Sequence, residues 1–361
     1  MKILLLAGAN CIHTARWANG LVSRGLEVHL VSAHKNAHEL DARVNLYILK
    51  NNAPLGYFSA MFEVRKLITK IQPGLVNAHY ATGYGLLARL VGFKPTLLSV
   101  WGSDVYDFPE KSFFHRGLLK GNLRSATSIA STSHCMARKT TETFQHERVF
   151  ITPFGIDERV FSPCTKPEAL QNQIVLGTVK TLKSKYGIDV LIQAFAKAWK
   201  TLGSPENVKL EISGGGPDLA VLQNLANYLG VSKQLTFHGQ VSHQDVPKML
   251  NRLDVYCAFS RLDSESFGVA ILEASSCEKP VVVSDADGPA EVTLDGVTGV
   301  VVPKEDIDAS AKAMIRLVQD EMLRKKMGQA GRQHVLEHYT WDKSLDLMIE
   351  AYKETVANVE K

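Results

Sequence analysis

The sequence predicts an α/β protein made of two Rossmann-like, doubly wound parallel-sheet domains, and three observations carry that expectation. The chain has 361 residues, 45% of them hydrophobic and 22% charged, with a mean hydropathy of −0.05, which is enough for two cores of ordinary domain size. Short apolar runs alternate with amphipathic stretches, and the series starts afresh halfway along. A Pro/Gly-rich break separates the two series. This composition excludes a disordered scaffold and a collagen-like fibre.

The first series opens with Lys2 to Ala7, whose continuous apolar character reads as a strand buried on both faces. A polar turn leads into an amphipathic stretch from about Thr14 to Arg24, which Gly25 stops. Glu27 to Ser32 is the next strand, and Leu75 to Ala78, Thr96 to Val100, Ser128 to Ser131 and Val149 to Thr152 continue the alternation. This is the pattern of a parallel sheet covered by its own crossover helices. The second series runs through Ile174 to Thr178, Lys209 to Ser213, Leu235 to His238, Val255 to Ala258 and Val281 to Ser284. Helical patterns such as Leu191 to Leu202 and Leu219 to Leu229 lie between its strands. Pro153-Phe-Gly-Ile-Asp157, Phe161-Ser-Pro163 and the polar residues to Gln173 read as the linker. The expected domains are therefore residues 1–165 and 166–340, followed by a long amphipathic helix in 341–361 that either caps the second domain or crosses back to the first.

Composition limits the setting. The apolar run Ile3 to Ala7 is far shorter than the roughly 20 residues of a membrane span and lacks signal-peptide flanks, so a cytoplasmic location is expected. Five scattered cysteines without a CxxC spacing indicate neither a disulfide framework nor a zinc site. Residues 1–165 hold 19 Lys+Arg and 11 Asp+Glu, a balance of +8, whereas the remainder holds 22 and 26, or −4. The basic half suits an anionic partner, either a phospholipid headgroup or a phosphorylated acceptor. No nucleic-acid motif accompanies the charge, and no nucleic acid is expected as a partner.

The most specific chemical pattern is Glu265-Ser-Phe-Gly-Val-Ala-Ile-Leu-Glu273, after the strand Val255 to Ala258. With a helix starting near Phe267, the amides of Phe267, Gly268 and Val269 are unpaired donors at a positive dipole end, suited to a diphosphate. Gly268 permits close approach, Glu273 can accept two ribose hydroxyls, and Glu265, next to Ser266, reaches the group on the other side of the phosphates.

With these residues the chain resembles the retaining, nucleotide-sugar-dependent glycosyltransferases of GT-B fold, family 4. The resemblance extends over nearly the whole sequence through Ile212-Ser-Gly-Gly-Gly-Pro217, Phe237-His-Gly239, Cys277-Glu-Lys-Pro-Val-Val-Val283, the linker phrase Pro153-Phe-Gly-Ile-Asp157 and the first-loop phrase His13-Thr-Ala-Arg-Trp17. It implies two domains facing a central cleft, with Gly215 and Gly239 among the donor-binding positions. Relatives commonly have an Arg and a Lys five residues apart where this chain has Lys180 and Lys185. Lys180 keeps the charge but not the bidentate geometry. Lysines in a loop are otherwise simply solvated. Gly8, His13 and Arg16 follow the first strand and can face the cleft, although Gly8 is equally suited to a strand-to-helix turn. His79 resembles a family histidine at the cleft or is a hydrogen-bonded structural residue. Trp101 stands where many relatives have a His linked to the reaction centre. Asp104 orients the acceptor hydroxyl or caps the following helix. Asp285-Ala-Asp287 has the spacing of a metal pair from a different glycosyltransferase fold, but family members have no metal there, so none is expected.

The expected catalytic residues are thus Glu265, Lys180, Lys185, His79 and Asp104. The expected donor contacts are Gly8, His13, Arg16, Gly215, Gly239, Ser266, Phe267, Gly268, Val269 and Glu273. No cofactor is expected beyond the substrate, a nucleoside-diphosphate sugar with UDP favoured, and the acceptor is a glycan or lipid-linked glycan of cell-surface polysaccharide synthesis. Two aromatic and basic stretches, Tyr57 to Lys70 and Phe113 to Lys120, either meet an anionic membrane peripherally or turn their aromatics into the core. An epimerase or phosphorylase of the same architecture, or a non-catalytic nucleotide-sugar-binding protein, is the alternative. A dehydrogenase is disfavoured because Gly8-Ala-Asn10 gives no GxGxxG.

Overall fold

The computed structural model of the chain describes residues 1–50 and 56–359. They fold as two compact units, Met1–Phe154 with Asp342–Lys361, and Gly155–Trp341. In the first, the strands are β1 (Lys2–Leu6), β2 (Glu27–Ser32), β3 (Asn45–Ile48), β4 (Leu75–His79), β5 (Thr96–Val100), β6 (Ser128–Ser131) and β7 (Val149–Ile151). Among the described residues they form one sheet in the order β3-β2-β1-β4-β5-β6-β7, with every pairing parallel. The second unit has β8 (Ile174–Val179), β9 (Val208–Ser213), β10 (Leu235–Gly239), β11 (Val255–Ala258), β12 (Val281–Ser284) and β13 (Gly299–Val302). Its order is β10-β9-β8-β11-β12-β13, again all parallel.

Crossover helices on both faces exclude water from such sheets, which is why the central strands read as unbroken apolar runs. β4 and β5 are buried at every position, as are β6 and β12. Helices begin where a side chain can satisfy the first amides: Ser112, Ser133, Asp306 and Asp320 accept from His115, Met136, Ala309 and Leu323. Two strands depart from the sequence expectation. β3 is half exposed and sits at a sheet edge, so it has no apolar run to announce it. β13 starts at Gly299, the last residue of Gly296-Val-Thr-Gly299; Gly299 is required there because a Cβ would come within 2.3 Å of the Val281 carbonyl oxygen.

The unit boundary falls earlier than the sequence expectation of residue 165. Residues 155–165 have the composition of a linker yet are fastened to the second unit. Phe161 is buried and its carbonyl accepts from Ser276 Oγ at 2.5 Å. Asn251 donates to the Ser162 carbonyl and accepts the Cys164 amide. The terminal helix Trp341–Ala357 belongs from Asp342 onward to the first unit. Tyr352 there is fully buried and donates to Asn77 Oδ1 at 2.9 Å, while Arg24 pairs with Asp342 and Asp346.

In each sheet the winding direction reverses at one place, between β1 and β4 and between β8 and β11. Loops leaving neighbouring strands diverge there, which opens a crevice at the carboxyl ends. In the first unit the residues so placed are Gly8 and His13, which follow β1, and His79, which ends β4. In the second they follow β8 and β11, namely Lys180 and Glu265.

Candidate active site

In the second unit, Lys180 leaves β8 and Glu265 lies in the loop after β11, and the switch point brings them together. Lys180 Nζ donates to Glu265 Oε1 at 2.6 Å, with side-chain exposures of 22% and 18%. Burial on its own pushes the Lys180 ammonium down, but the adjacent Glu265 carboxylate outweighs it and raises the pKa above the ordinary lysine value. The cation is therefore permanent at physiological pH. Tyr186 supplies a ring 4.5 Å from Lys180 Nζ and 4.7 Å from Lys185 Nζ, cation–π distances for both. Burial also pushes the neighbouring Tyr256 phenol up to about 12.

A glycine run fixes this loop. Gly214, at φ +145°, has no room for a side chain, since a Cβ would lie 1.9 Å from the Lys180 carbonyl oxygen. Its amide donates to the Gly239 carbonyl at 2.7 Å, and the Leu182 amide donates to the Gly215 carbonyl at 3.0 Å. Gly215 and Gly239 thus act through the backbone, tying the β8 exit to the exits of β9 and β10.

The Glu-x7-Glu element forms the helix Val269–Ser276, with Gly268 as its N-cap at φ +91°. The start is two residues later than the expected Phe267. Within the described residues, the amides of Gly268, Val269 and Ala270 donate to no protein acceptor, so three N–H groups at a positive helix end remain for a ligand. Ser266 and Phe267 are buried beside them, and Glu273 is buried one turn further along. The segment Glu265 to Phe267 is braced by Gly288, whose amide donates to the Glu265 carbonyl at 3.2 Å and whose missing Cβ would collide with the Phe267 nitrogen at 2.2 Å. Asp285 accepts the Lys304 amide at 2.8 Å, so that carboxylate holds a loop. Among the described residues no three His, Cys, Asp or Glu side chains converge as metal ligands.

The first unit gathers aromatic rings at its switch point. His13 stacks on Phe154 with centroids 4.2 Å apart, Trp101 meets Phe154 at 5.4 Å, and His79 packs against Trp101 at 4.8 Å. His79 is fully buried and donates from Nε2 to Asn77 Oδ1 at 2.9 Å. Burial depresses its pKa to about 3, so the ring is neutral, and Nδ1 lacks a hydrogen-bond partner. Asp104 is also fully buried. Its carboxylate accepts the amides of Ala81 at 2.7 Å, Gly102 at 2.8 Å and Trp101 at 3.1 Å, which clips the loop after β5 to the loop after β4. Burial raises its pKa, partly offset by those amides. Tyr80, between these loops, holds φ at 77° and hydrogen-bonds Ser103, a strained backbone of the kind found where loops are over-determined. Gly8 instead faces Asn10, His34 and Tyr84, the nearest atoms to a Cβ built there, and Arg16 is half-buried on the helix Ile12–Ser23.

Sequence reasoning missed Tyr186, Tyr256, Phe154 and Tyr352. Tyr186 adjoins Lys185 in the chain and is the one that an aromatic-next-to-cation signal would have found.

Two family profiles match the chain, "Glycosyl transferases group 1" over residues 165–334 and "Glycosyl transferase 4-like" over residues 2–133. The matched segments belong to these two glycosyltransferase families, the first profile falling within the second unit and the second within the first. Over 201 residues it is 33% identical to the GDP-mannose-dependent alpha-(1-6)-phosphatidylinositol monomannoside mannosyltransferase of Mycolicibacterium smegmatis, covering 52% of each chain. It is 23% identical over 346 residues to the N-acetyl-alpha-D-glucosaminyl L-malate synthase of Bacillus anthracis, covering 90% of this chain and 88% of that one. The stretch matched to the mannosyltransferase thus spans about half of that relative's length. Among solved structures, Anabaena HepE in complex with UDP superposes with a TM-score of 0.83 at 18% identity, covering 98% of this chain and 100% of that one. That likeness shows a fold shared with the GT-B proteins.

Proposed function

We propose that the protein is a retaining, metal-independent glycosyltransferase that moves a sugar from a nucleoside-diphosphate sugar to a hydroxyl acceptor. The observation that carries this reading is the Lys180–Glu265 pair on the Tyr186 ring, combined with unpaired amides at Gly268 to Ala270. In such a transfer the bond from the anomeric carbon to the diphosphate oxygen breaks and the acceptor oxygen bonds that carbon. The diphosphate leaves with the electron pair and takes up the acceptor's proton. Charge grows on the diphosphate, so fixed cations and N–H donors aimed at it lower the barrier. Lys180, Lys185 and the helix amides supply them. Glu265 is assigned to the sugar hydroxyls and Glu273 to the ribose. Full burial makes His79 and Asp104 positioning residues for Trp101 and the loop after β4.

The donor base read from sequence is uracil; guanine is the second reading, favoured by the name of the mycobacterial relative. Melting scans with UDP-, GDP- and ADP-sugars separate them, because a ligand of the native state raises the midpoint in a dose-dependent way. Transfer to an acceptor, with the product anomer read by NMR and activity retained in EDTA, is the expected result. No shift with any donor, or an inverted product, overturns the reading.

The acceptor is proposed to be a glycan or lipid-linked glycan presented at an anionic membrane face. Supporting this, Phe58 and Phe62 on the helix Gly56–Ile71 are 56% and 61% exposed, and Phe113 and Phe114 on the helix Phe113–Ser125 are 75% and 72% exposed. The side chain of Tyr57 lies outside the described residues. Both helices run back from the carboxyl edge of one parallel sheet, so their first turns lie at the same end. Lys111, Arg116 and Lys120 accompany the second pair. No helix among the described residues is long and apolar enough to cross a membrane. Flotation with phosphatidylglycerol vesicles, lost on replacing the four phenylalanines by serine, is expected; equal flotation of both proteins removes the membrane contact.

A further inference from the structure

The sheet order places β3, β2 and β1 side by side at one edge of the first unit. The chain leaves these strands at Lys50, at His34 and Lys35, and at Asn10. These residues, with Ile48, line a depression of about 600 Å³. No lining residue is acidic, and neither Lys35 nor Lys50 has an ion-pair partner among the described residues. The Glu63 carboxylate approaches the backbone amide of Lys50, at 3.5 Å. Ile48, 43% exposed, adds an apolar wall.

The wall at the β2 exit is built by a hydrogen-bond network. Ser32 Oγ accepts the amides of Ala9 and His34, each at 2.9 Å, and donates to the His34 carbonyl. The Tyr84 hydroxyl accepts the Ala33 amide at 3.1 Å, shares a hydrogen bond with His34 Nδ1 at 2.9 Å and lies 3.4 Å from Ser32 Oγ. With Nδ1 engaged by Tyr84, Nε2 is the ring nitrogen turned to a ligand. Two ammonium groups and an imidazole edge therefore border one open depression with no carboxylate in its lining. Such a set matches a tetrahedral or planar oxyanion on a small carbon skeleton.

We propose that this depression binds an anionic group, phosphate or carboxylate, carried by the acceptor. The inference rests on the glycosyltransferase reading and names its acceptor class: a hydroxyl compound with a negative charge near the hydroxyl that receives the sugar.

The test uses the full chain with UDP held saturating, so that the helix amides near Gly268 are filled. Inorganic phosphate, L-malate and glycerol are titrated by calorimetry into the wild type, the double variant Lys35→Gln/Lys50→Gln and the charge-keeping Lys35→Arg/Lys50→Arg. At least one anion is expected to bind the wild type and the Arg variant and to bind the Gln variant at least tenfold more weakly, with glycerol silent. The tighter anion distinguishes a phosphorylated acceptor from a carboxylic one. No anion binding to the wild type, or equal binding to the Gln variant, overturns the proposal. UDP binding is measured alone beforehand. Its absence counts against the donor reading, and the anion titrations, run without UDP in that case, still decide the depression.

Discussion

Two contacts hold the Lys180 ammonium group, the Glu265 carboxylate and the Tyr186 ring, and a third constraint acts on its backbone, whose carbonyl is pressed against Gly214. A cation held this way costs no reorganisation when charge develops beside it. Lys180→Gln is expected to lower kcat by roughly a hundredfold or more while the protein stays folded. Tyr186→Leu should lower kcat several-fold with UDP affinity changed less, and Tyr186→Phe should restore it, because cation–π attraction depends on the ring face and not on the hydroxyl. Steady-state kinetics with UDP calorimetry checks both. His79 gives a pH test. Its folded pKa, about 3, lies below the ordinary value of 6.5, so between those pH values the unfolded chain binds the extra proton. Stability is unaffected above pH 6.5 and falls as pH drops toward 3, with a slope of at most about 1.4 kcal/mol per pH unit. Urea midpoints measured from pH 7.5 to 4.5 should show that slope, and His79→Gln should flatten it. The family resemblance singled out Lys180 and Lys185, and the Glu-x7-Glu pattern singled out Glu265, but the Lys180–Glu265 contact joins residues 85 apart in the chain and no local spacing announces it. The depressed pKa of His79 was not legible in the sequence either, because it comes from rings and strands remote in the chain, Trp101 and Tyr352 among them.

At the level of elements, the glycines after β9 show how a loop serves chemistry it never touches. Gly214→Ala would place a methyl group 1.9 Å from the Lys180 carbonyl at a φ that side chains rarely adopt. The backbone must shift, at a cost of roughly 1–3 kcal/mol, and it carries Lys180 with it. The expected outcome is a lowered melting midpoint together with loss of donor-induced stabilisation, whereas Gly230→Ala, at a positive φ with no atom within 4 Å, should lower the midpoint and keep the donor response. The strands themselves were legible wherever burial on both faces forced a continuous apolar run, as in β1, β4, β5 and β12. They were illegible at the edges. Among the described residues β3 pairs only with β2, and it is buried at none of its positions, with Asn45 and Ile48 exposed on opposite faces of its pleat, so neither period nor hydrophobicity marks it. The helix at Val269 was placed two residues early because Gly268 adopts a left-handed N-cap, a choice the sequence permits but does not require.

At the scale of the whole molecule, the last residues complete the first unit. The helix Trp341–Ala357 buries Leu345, Met348, Ala351 and Tyr352, and the Tyr352 hydroxyl shares Asn77 Oδ1 with His79 Nε2. Amphipathic periodicity made the helix legible but not its destination, since an apolar stripe fits either core equally well. The same limit explains the boundary: Phe161 looks like linker until Ser276 and Arg332 are seen to hold its carbonyl. Because Asn77 Oδ1 keeps its bond from His79, Tyr352→Phe removes one buried hydrogen bond without leaving that oxygen bare, and should cost about 1 kcal/mol. Tyr352→Ala removes a fully buried ring and should cost about 3–5 kcal/mol. The loss should be confined to the unit Met1–Phe154: amide exchange in β1, β4 and β5 is expected to accelerate, while β8, β11 and the donor-induced protection of the loop Glu265 to Gly268 stay as in the wild type. Equal acceleration in both sheets would mean that the two units unfold as one, and that the terminal helix stabilises the chain as a whole.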